Sequence, residues 1–102
     1  MIMRVVKMKV NNDKISSFRQ FMEDMQYIKQ NLEGCVHYDF FNEKKNVNVY
    51  YSYTIWEDIK YLRKYKKSEL YKEEMLNLKK FCIEEPKAWT IENVFNAYDH
   101  EE

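Results

Sequence analysis

The sequence contains few residues that interrupt regular structure or cross-link a small fold. Its 102 residues include one glycine, one proline and two cysteines. So few chain breakers predict long helices and strands joined by short connections. Cys35 and Cys82 lack the spacing of a metal site, and two cysteines do not make a disulfide framework. We therefore interpret both as buried thiols and expect no metal.

Long apolar runs and an excess of charge of one sign are also missing. No stretch approaches the roughly 20 apolar residues of a membrane-spanning helix, and the start resembles no signal peptide. We therefore expect a cytoplasmic protein without a membrane partner. The 17 basic and 17 acidic residues cancel, and residues 47–54 lack the glycine and basic residues of an RNA-recognition strand. We expect no nucleic-acid partner.

Aromatic residues are abundant instead. The chain has nine tyrosines, six phenylalanines and two tryptophans in a composition that is 45% hydrophobic and 33% charged. This composition is typical of a globular protein, and the length suits a single domain over residues 1–102. So many aromatic rings require a core, an interface or a ligand pocket.

The first half of the chain predicts a strand, a helix and a hairpin. Residues 2–10 alternate as a strand, and residues 11–13 can cap a helix that ends at Gly34. Strands over residues 36–41 and 47–55 then flank a polar turn. The apolar stripe of the helix contains Ile15, Phe18, Met22, Met25, Ile28 and Leu32.

The second half predicts two helical segments and a last strand. The first helix covers residues 57–67, and Ser68 can cap the second, whose apolar period continues to Cys82. Pro86 prevents further helix, so residues 87–98 are interpreted as a strand, and the last four residues as a frayed tail.

The element order predicts an α+β fold of the ferredoxin-like type, β-α-β-β-α-β. Right-handed crossovers place the helices on one face of a four-stranded antiparallel sheet. The opposite face would carry apolar and aromatic residues, because both phases of the first strand and of the hairpin contain them. Such a surface normally binds a partner, and we expect a second copy of the chain, hence a homodimer.

Three segments carry a resemblance to a known family. They are Leu-Glu-Gly-Cys at 32–35, Ile-Trp-Glu-Asp at 55–58 and Tyr-Lys-Lys-Ser-Glu-Leu-Tyr at 65–71. In this order they resemble the antibiotic biosynthesis monooxygenase family, whose patterns are E-G-C, W-x-[DE] and H-x-x-[ST]-x-H. The resemblance implies a dimeric α/β barrel that oxidises a quinol or hydroxylated aromatic without a cofactor.

The sequence departs from the family pattern at the positions that carry its acid-base chemistry. Tyr65 and Leu70 replace the two histidines, and Thr54 replaces an acidic residue. Met75 falls on or near the position of the heme ligand in the heme-degrading branch. The resemblance therefore implies no heme. It leaves two alternatives: a cofactor-free monooxygenase, or a non-catalytic small-ligand-binding or regulatory dimer of the same fold that has lost these residues.

Several side chains are candidates for a site, and each has a structural alternative. His37 is the one histidine inside the predicted fold and is a candidate general base. Trp56 could form a wall for a flat substrate or close the helix-sheet junction. Arg4 is the one charge in an apolar strand phase and should meet a carboxylate, an anionic ligand or solvent. Four tyrosines could line an aromatic pocket or the dimer seam: Tyr51, Tyr53, Tyr65 and Tyr71.

Overall fold

The computed structural model describes residues 1–95. Its elements follow the predicted order. The strands are β1 (Ile2–Lys9), β2 (Cys35–Asn42), β3 (Val49–Trp56) and β4 (Lys87–Glu92), and the helices are α1 (Ile15–Gln30), α2 (Ile59–Lys66) and α3 (Glu69–Phe81). A short 3₁₀ turn over Asn12–Lys14 precedes α1. Within the described part of the chain, no helix is long and apolar enough to cross a bilayer.

The strands form one antiparallel sheet in the order β2-β3-β1-β4. The helices cover one side of it, so the α+β ferredoxin-like prediction is confirmed. The last strand is shorter than predicted and ends at Glu92, because Glu92 pairs with Ile2 at the start of β1 and no residue of β1 remains beyond it. Residues 96–98 of the predicted strand and the predicted tail lie outside the described residues.

Local signals in the sequence set the element boundaries. Gly34 follows α1 with φ of 79°, a left-handed conformation that favours glycine. A Cβ atom at this position would overlap the ring of Tyr61. The side chains of Asp58 and Ser68 accept hydrogen bonds from the first turns of α2 and α3, at Lys60 N and Tyr71 N. These caps fix where the two helices begin.

The pairing register decides which side chains face the helices. In β3, Tyr50, Ser52, Thr54 and Trp56 are buried, and they lie opposite the helix-facing residues of β1. Two apolar clusters fill the space between sheet and helices. One is built around Met8, Val10, Phe18, Met22, Tyr50 and Leu78. The other is built around Ile2, Trp56, Leu62 and Tyr65.

The opposite side of the sheet, which we call the open face, is covered by no element of the described chain. Trp89 and Ile91 of β4 are 47% and 52% exposed, and Phe41 of β2 is 48% exposed. The sequence prediction that both sides of the sheet carry apolar residues is therefore confirmed. The apolar and aromatic members of the open face are Met3, Val5, Phe41, Tyr51, Tyr53, Ile55, Trp89 and Ile91.

Candidate functional site

A small cavity lies between the helix-facing side of the sheet and helices α1 and α3. Its volume is about 40 Å³, which is room for very few water molecules. The polar lining residues are Arg4, Lys29, Ser52, Thr54, Tyr65, Tyr71 and Glu74. The apolar lining residues are Val6, Met8, Met22, Met75, Leu78, Pro86 and Ala88. The cavity therefore combines an apolar wall with a concentration of polar groups.

An ion pair between the two long helices is the most unusual feature of this cavity. Lys29 of α1 and Glu74 of α3 are 6% and 5% exposed, and Lys29 Nζ lies 2.9 Å from Glu74 Oε2. The hydroxyl of Tyr65 donates a hydrogen bond to the other carboxylate oxygen, Oε1. Buried charges persist in proteins when they are paired and hydrogen-bonded in this way.

The Lys29 ammonium also lies against two aromatic rings. It is 5.4 Å from the ring centroid of Tyr38 and 5.3 Å from that of Tyr65, distances typical of cation–π contacts. The Tyr38 hydroxyl is buried, and no atom of residues 1–95 hydrogen-bonds to it. This hydroxyl is an unused donor close to the ion pair.

Both phenols remain protonated at neutral pH. Burial and then the charge of Glu74 raise the pKa of Tyr65 far above its usual value. Burial, Glu74 and Asp39 likewise raise the pKa of Tyr38. These tyrosines are therefore hydrogen-bond donors rather than bases, and Glu74 is the one carboxylate among the cavity's lining residues.

A polar row crosses the helix-facing side of the sheet below this network. The register aligns Tyr38, Thr54, Arg4 and Thr90 on four neighbouring strands. Arg4 Nη1 donates to Thr90 Oγ1 at 3.0 Å, and Trp56 Nε1 donates to Thr54 Oγ1 at 2.7 Å. Within residues 1–95, Arg4 has no carboxylate at ion-pair distance.

The structure divides the residues proposed from the sequence between the two sides of the sheet. Arg4, Tyr65 and Tyr71 line the cavity. Trp56 is fully buried behind it and stacks on Tyr65, with ring centroids 5.5 Å apart. The remaining three candidates, His37, Tyr51 and Tyr53, lie on the open face.

The open-face candidates include a compact hydrogen-bonded cluster. His37 Nε2 lies 2.6 Å from Asp39 Oδ2, and the Tyr53 hydroxyl donates to the same oxygen at 3.1 Å. The ring of Tyr53 stacks with that of His37 and also with that of Phe41. Hydrogen bonds from His37 and then Tyr53 lower the pKa of Asp39.

No cluster of three His, Cys, Asp or Glu residues within residues 1–95 is arranged to hold a metal ion.

Lys29 and Glu74 were missed by the sequence interpretation. A signal was available, because Lys29 continues the apolar stripe of α1 four residues after Met25. Glu74 similarly lies four residues before the buried Leu78 of α3. A charged residue at a core position on each of two helices indicates a buried pair, although periodicity alone does not show that the two meet.

The fold and this buried site define a small ferredoxin-like domain with a polar interior cavity. A family model of antibiotic biosynthesis monooxygenases matches residues 1–75. The chain belongs to the antibiotic biosynthesis monooxygenase family, as the resemblance in the sequence suggested. No curated protein sequence matches the chain.

Solved structures share the fold at low sequence identity. A candidate antibiotic biosynthesis monooxygenase from Deinococcus radiodurans is 11% identical with a TM-score of 0.88, covering 99% of this chain and 100% of that one. A conserved protein from Methanosarcina mazei Go1 is 23% identical with a TM-score of 0.81, covering 89% and 91%. A candidate monooxygenase of the same type from Caulobacter crescentus is 20% identical with a TM-score of 0.81, covering 92% and 90%. At these identities the likeness shows the fold.

Proposed function

We propose that the protein is a cofactor-independent monooxygenase that oxidises a small hydroxylated aromatic, such as a quinol, in the cavity between sheet and helices. The observation that supports this proposal best is the buried network of Lys29, Glu74 and Tyr65. It supplies a carboxylate, a fixed positive charge and a phenol donor beside an apolar wall, within a family of monooxygenases.

In this proposal Glu74 takes the proton of the substrate hydroxyl. Lys29, at 2.9 Å from Glu74, is placed to stabilise the resulting phenolate by its charge, and Tyr65 supplies a further donor. Because Lys29 and Glu74 are almost fully buried, each of these electrostatic interactions is stronger than it would be in solution. An electron-rich phenolate can then pass an electron to molecular oxygen.

The overall reaction balances without a cofactor. A quinol and one molecule of oxygen give a hydroxyquinone and water. One oxygen atom enters the ring and the other leaves as water. The substrate supplies all four electrons, two from the quinol hydroxyls and two from the carbon that gains oxygen. The protein is required to deprotonate, orient and enclose the substrate.

The size of the cavity sets a condition on this function. A volume of about 40 Å³ does not hold an aromatic ring, so side chains must move when a substrate enters. Met22 and Met75 are the adaptable members of the apolar wall, because an unbranched thioether repacks at low cost. We therefore expect a monocyclic substrate to bind more readily than a polycyclic one.

A second candidate function is ligand binding without catalysis. Two observations favour it: the cavity is small, and the Glu74 carboxylate is already engaged by Lys29 and Tyr65. In this case the network would recognise a ligand hydroxyl but would not promote a reaction with oxygen.

Oxygen uptake with 1,4-dihydroxybenzene tests both candidates. We expect turnover by the wild type, and a loss of about 10²–10⁴-fold in Glu74→Gln, the usual contribution of a general base. Glu33→Gln is the matched control, since Glu33 forms an exposed ion pair with Lys64 and should leave turnover unchanged. Binding by the wild type without oxygen uptake would support the second candidate instead.

The same assay separates Glu74 from His37 as the base. His37 lies on the open face in contact with Asp39 and Tyr53, and we expect His37→Ala to retain turnover. A complete loss in His37→Ala with full activity in Glu74→Gln would assign the base to His37 and overturn the proposed mechanism.

We also propose that the open face pairs with a second copy of the chain. Stacked rings at Phe41 and Tyr53, and half-exposed Trp89 and Ile91, make an apolar surface of the kind that a partner normally covers. Sedimentation equilibrium of Trp89→Glu should show weaker association than the wild type. Leu76→Glu is the control, because Leu76 is 61% exposed on α3 and away from this face. Equal association of both variants and the wild type would contradict this pairing.

A further inference from the structure

The charges that line the cavity do not cancel. Lys29 and Glu74 neutralise each other at 2.9 Å. Arg4 lines the same cavity and has no carboxylate at ion-pair distance within the part of the chain that is described. The lining residues therefore carry one positive charge that no carboxylate of residues 1–95 pairs with.

Among the described residues, the Arg4 side chain has one hydrogen-bond partner, Thr90, and further donors that are unused. Its strand pairs with β3 at Thr54 and with β4 at Thr90, which fixes the backbone on both sides. One N–H bonds to Thr90 Oγ1 at 3.0 Å, and an arginine side chain has five N–H donors in a planar fork. This fork matches a carboxylate, which it can bind through two parallel hydrogen bonds.

The Glu74 carboxylate favours a different ligand group from the one that Arg4 favours. The Glu74 carboxylate, with Lys29 and Tyr65 attached, accepts a hydrogen bond from a ligand hydroxyl and repels a ligand anion. Between and beside these groups the wall is apolar, with Met8, Met22 and Leu78 among its residues. A ligand that satisfies both groups has an anionic group, a hydroxyl group and a flat apolar body.

We propose that the cavity binds a hydroxylated aromatic carboxylate, with its carboxylate on Arg4 and a ring hydroxyl at Glu74. This inference deepens the proposed function, because it places the substrate in the same cavity and names its chemical class. Arg4 acts as the specificity-determining residue and takes no part in the proton transfer.

Anaerobic calorimetry with a matched pair of ligands tests the proposal. The probes are 2,5-dihydroxybenzoate and 1,4-dihydroxybenzene, which differ by one carboxylate. We expect the wild type to bind the acid roughly 10- to 100-fold more tightly than the neutral quinol, the range of a charge-assisted hydrogen-bonded pair. Arg4→Met should abolish this difference, and Arg4→Lys should keep part of it.

A control and a readout that excludes misfolding accompany the variants. Arg63→Met removes an exposed arginine of α2 that does not line the cavity, so the preference for the acid should persist. Binding of the neutral quinol by Arg4→Met with wild-type affinity shows that the cavity is intact.

The outcomes separate this inference from the proposed function. Tight binding of the acid through Arg4 without oxygen uptake would preserve the inference and refute the monooxygenase. Turnover of the neutral quinol with no preference for the acid, unchanged in Arg4→Met, would preserve the monooxygenase and overturn the inference. Acid binding that Arg63→Met weakens as much as Arg4→Met would also overturn it, because the effect would then be nonspecific charge attraction.

Discussion

Replacing Lys29 by methionine should strongly destabilise the fold. Lys29 and Glu74 are 6% and 5% exposed and lie 2.9 Å apart, so Lys29→Met leaves a carboxylate buried without its counter-charge. Breaking such a pair from one side costs about 3–5 kcal/mol. For a domain of this size each kcal/mol lowers Tm by about 4–8 °C, so we expect a loss of at least roughly 12 °C.

Removing the whole network should be far less harmful. Glu74→Met added to Lys29→Met removes the stranded carboxylate, and Tyr65→Phe removes the hydroxyl that bonds to it. The triple variant then buries apolar groups of similar volume, and such replacements are often neutral or stabilising. We expect its free energy of unfolding to return to within about 1–2 kcal/mol of the wild type.

Urea denaturation followed by circular dichroism measures this series. All variants should be compared at one protein concentration, because association would add to the apparent stability. The reasoning is refuted if Lys29→Met costs less than about 1 kcal/mol, the value of an exposed pair. It is also refuted if the triple variant is less stable than Lys29→Met, since the network would then be stabilising as a unit.

Two further substitutions test local features of the fold. Gly34→Ala should cost about 2 kcal/mol or more in urea denaturation, because φ is 79° and the new Cβ overlaps Tyr61; unchanged stability would contradict the left-handed cap. Asp39→Asn should change how the free energy of unfolding depends on pH under acid conditions, because hydrogen bonds from His37 and Tyr53 lower the pKa of Asp39 in the folded chain. The charged form then stabilises the fold above the unfolded value of about 3.9, and this contribution is lost as the pH falls through the lower folded value. If the free energies of unfolding of the wild type and Asp39→Asn differ by a constant amount from pH 7 to pH 2, the hydrogen bonds to Asp39 do not lower its pKa.

Local sequence signals predicted most of the fold. The alternation in residues 2–10 and the three- to four-residue period that begins at Ile15 each have one interpretation as secondary structure. Gly34 and Ser68 mark helix boundaries through backbone conformation and capping, which depend on neighbouring residues only. The last strand was predicted too long, because its end depends on where β1 begins.

The site was less predictable, because it depends on contacts between distant segments. His37 lies on the open face because it pairs with Ile55 of β3. This position cannot be predicted without the pairing register of the sheet. Lys29 and Glu74 meet only when α1 and α3 pack together. Arg4 could be recognised from the sequence as the one charge in an apolar strand phase, because that judgement needs only the alternation within the strand.

The central claim is that the ligand lies between sheet and helices, against the Lys29–Glu74–Tyr65 network. An anaerobic crystal structure with 2,5-dihydroxybenzoate or 1,4-dihydroxybenzene bound would test it most directly. We expect the ring beside Met22 and Met75, with a hydroxyl oxygen about 2.6–3.2 Å from the Glu74 carboxylate. A ring bound on the open face beside Tyr53, with the cavity still closed around Glu74, would contradict the account.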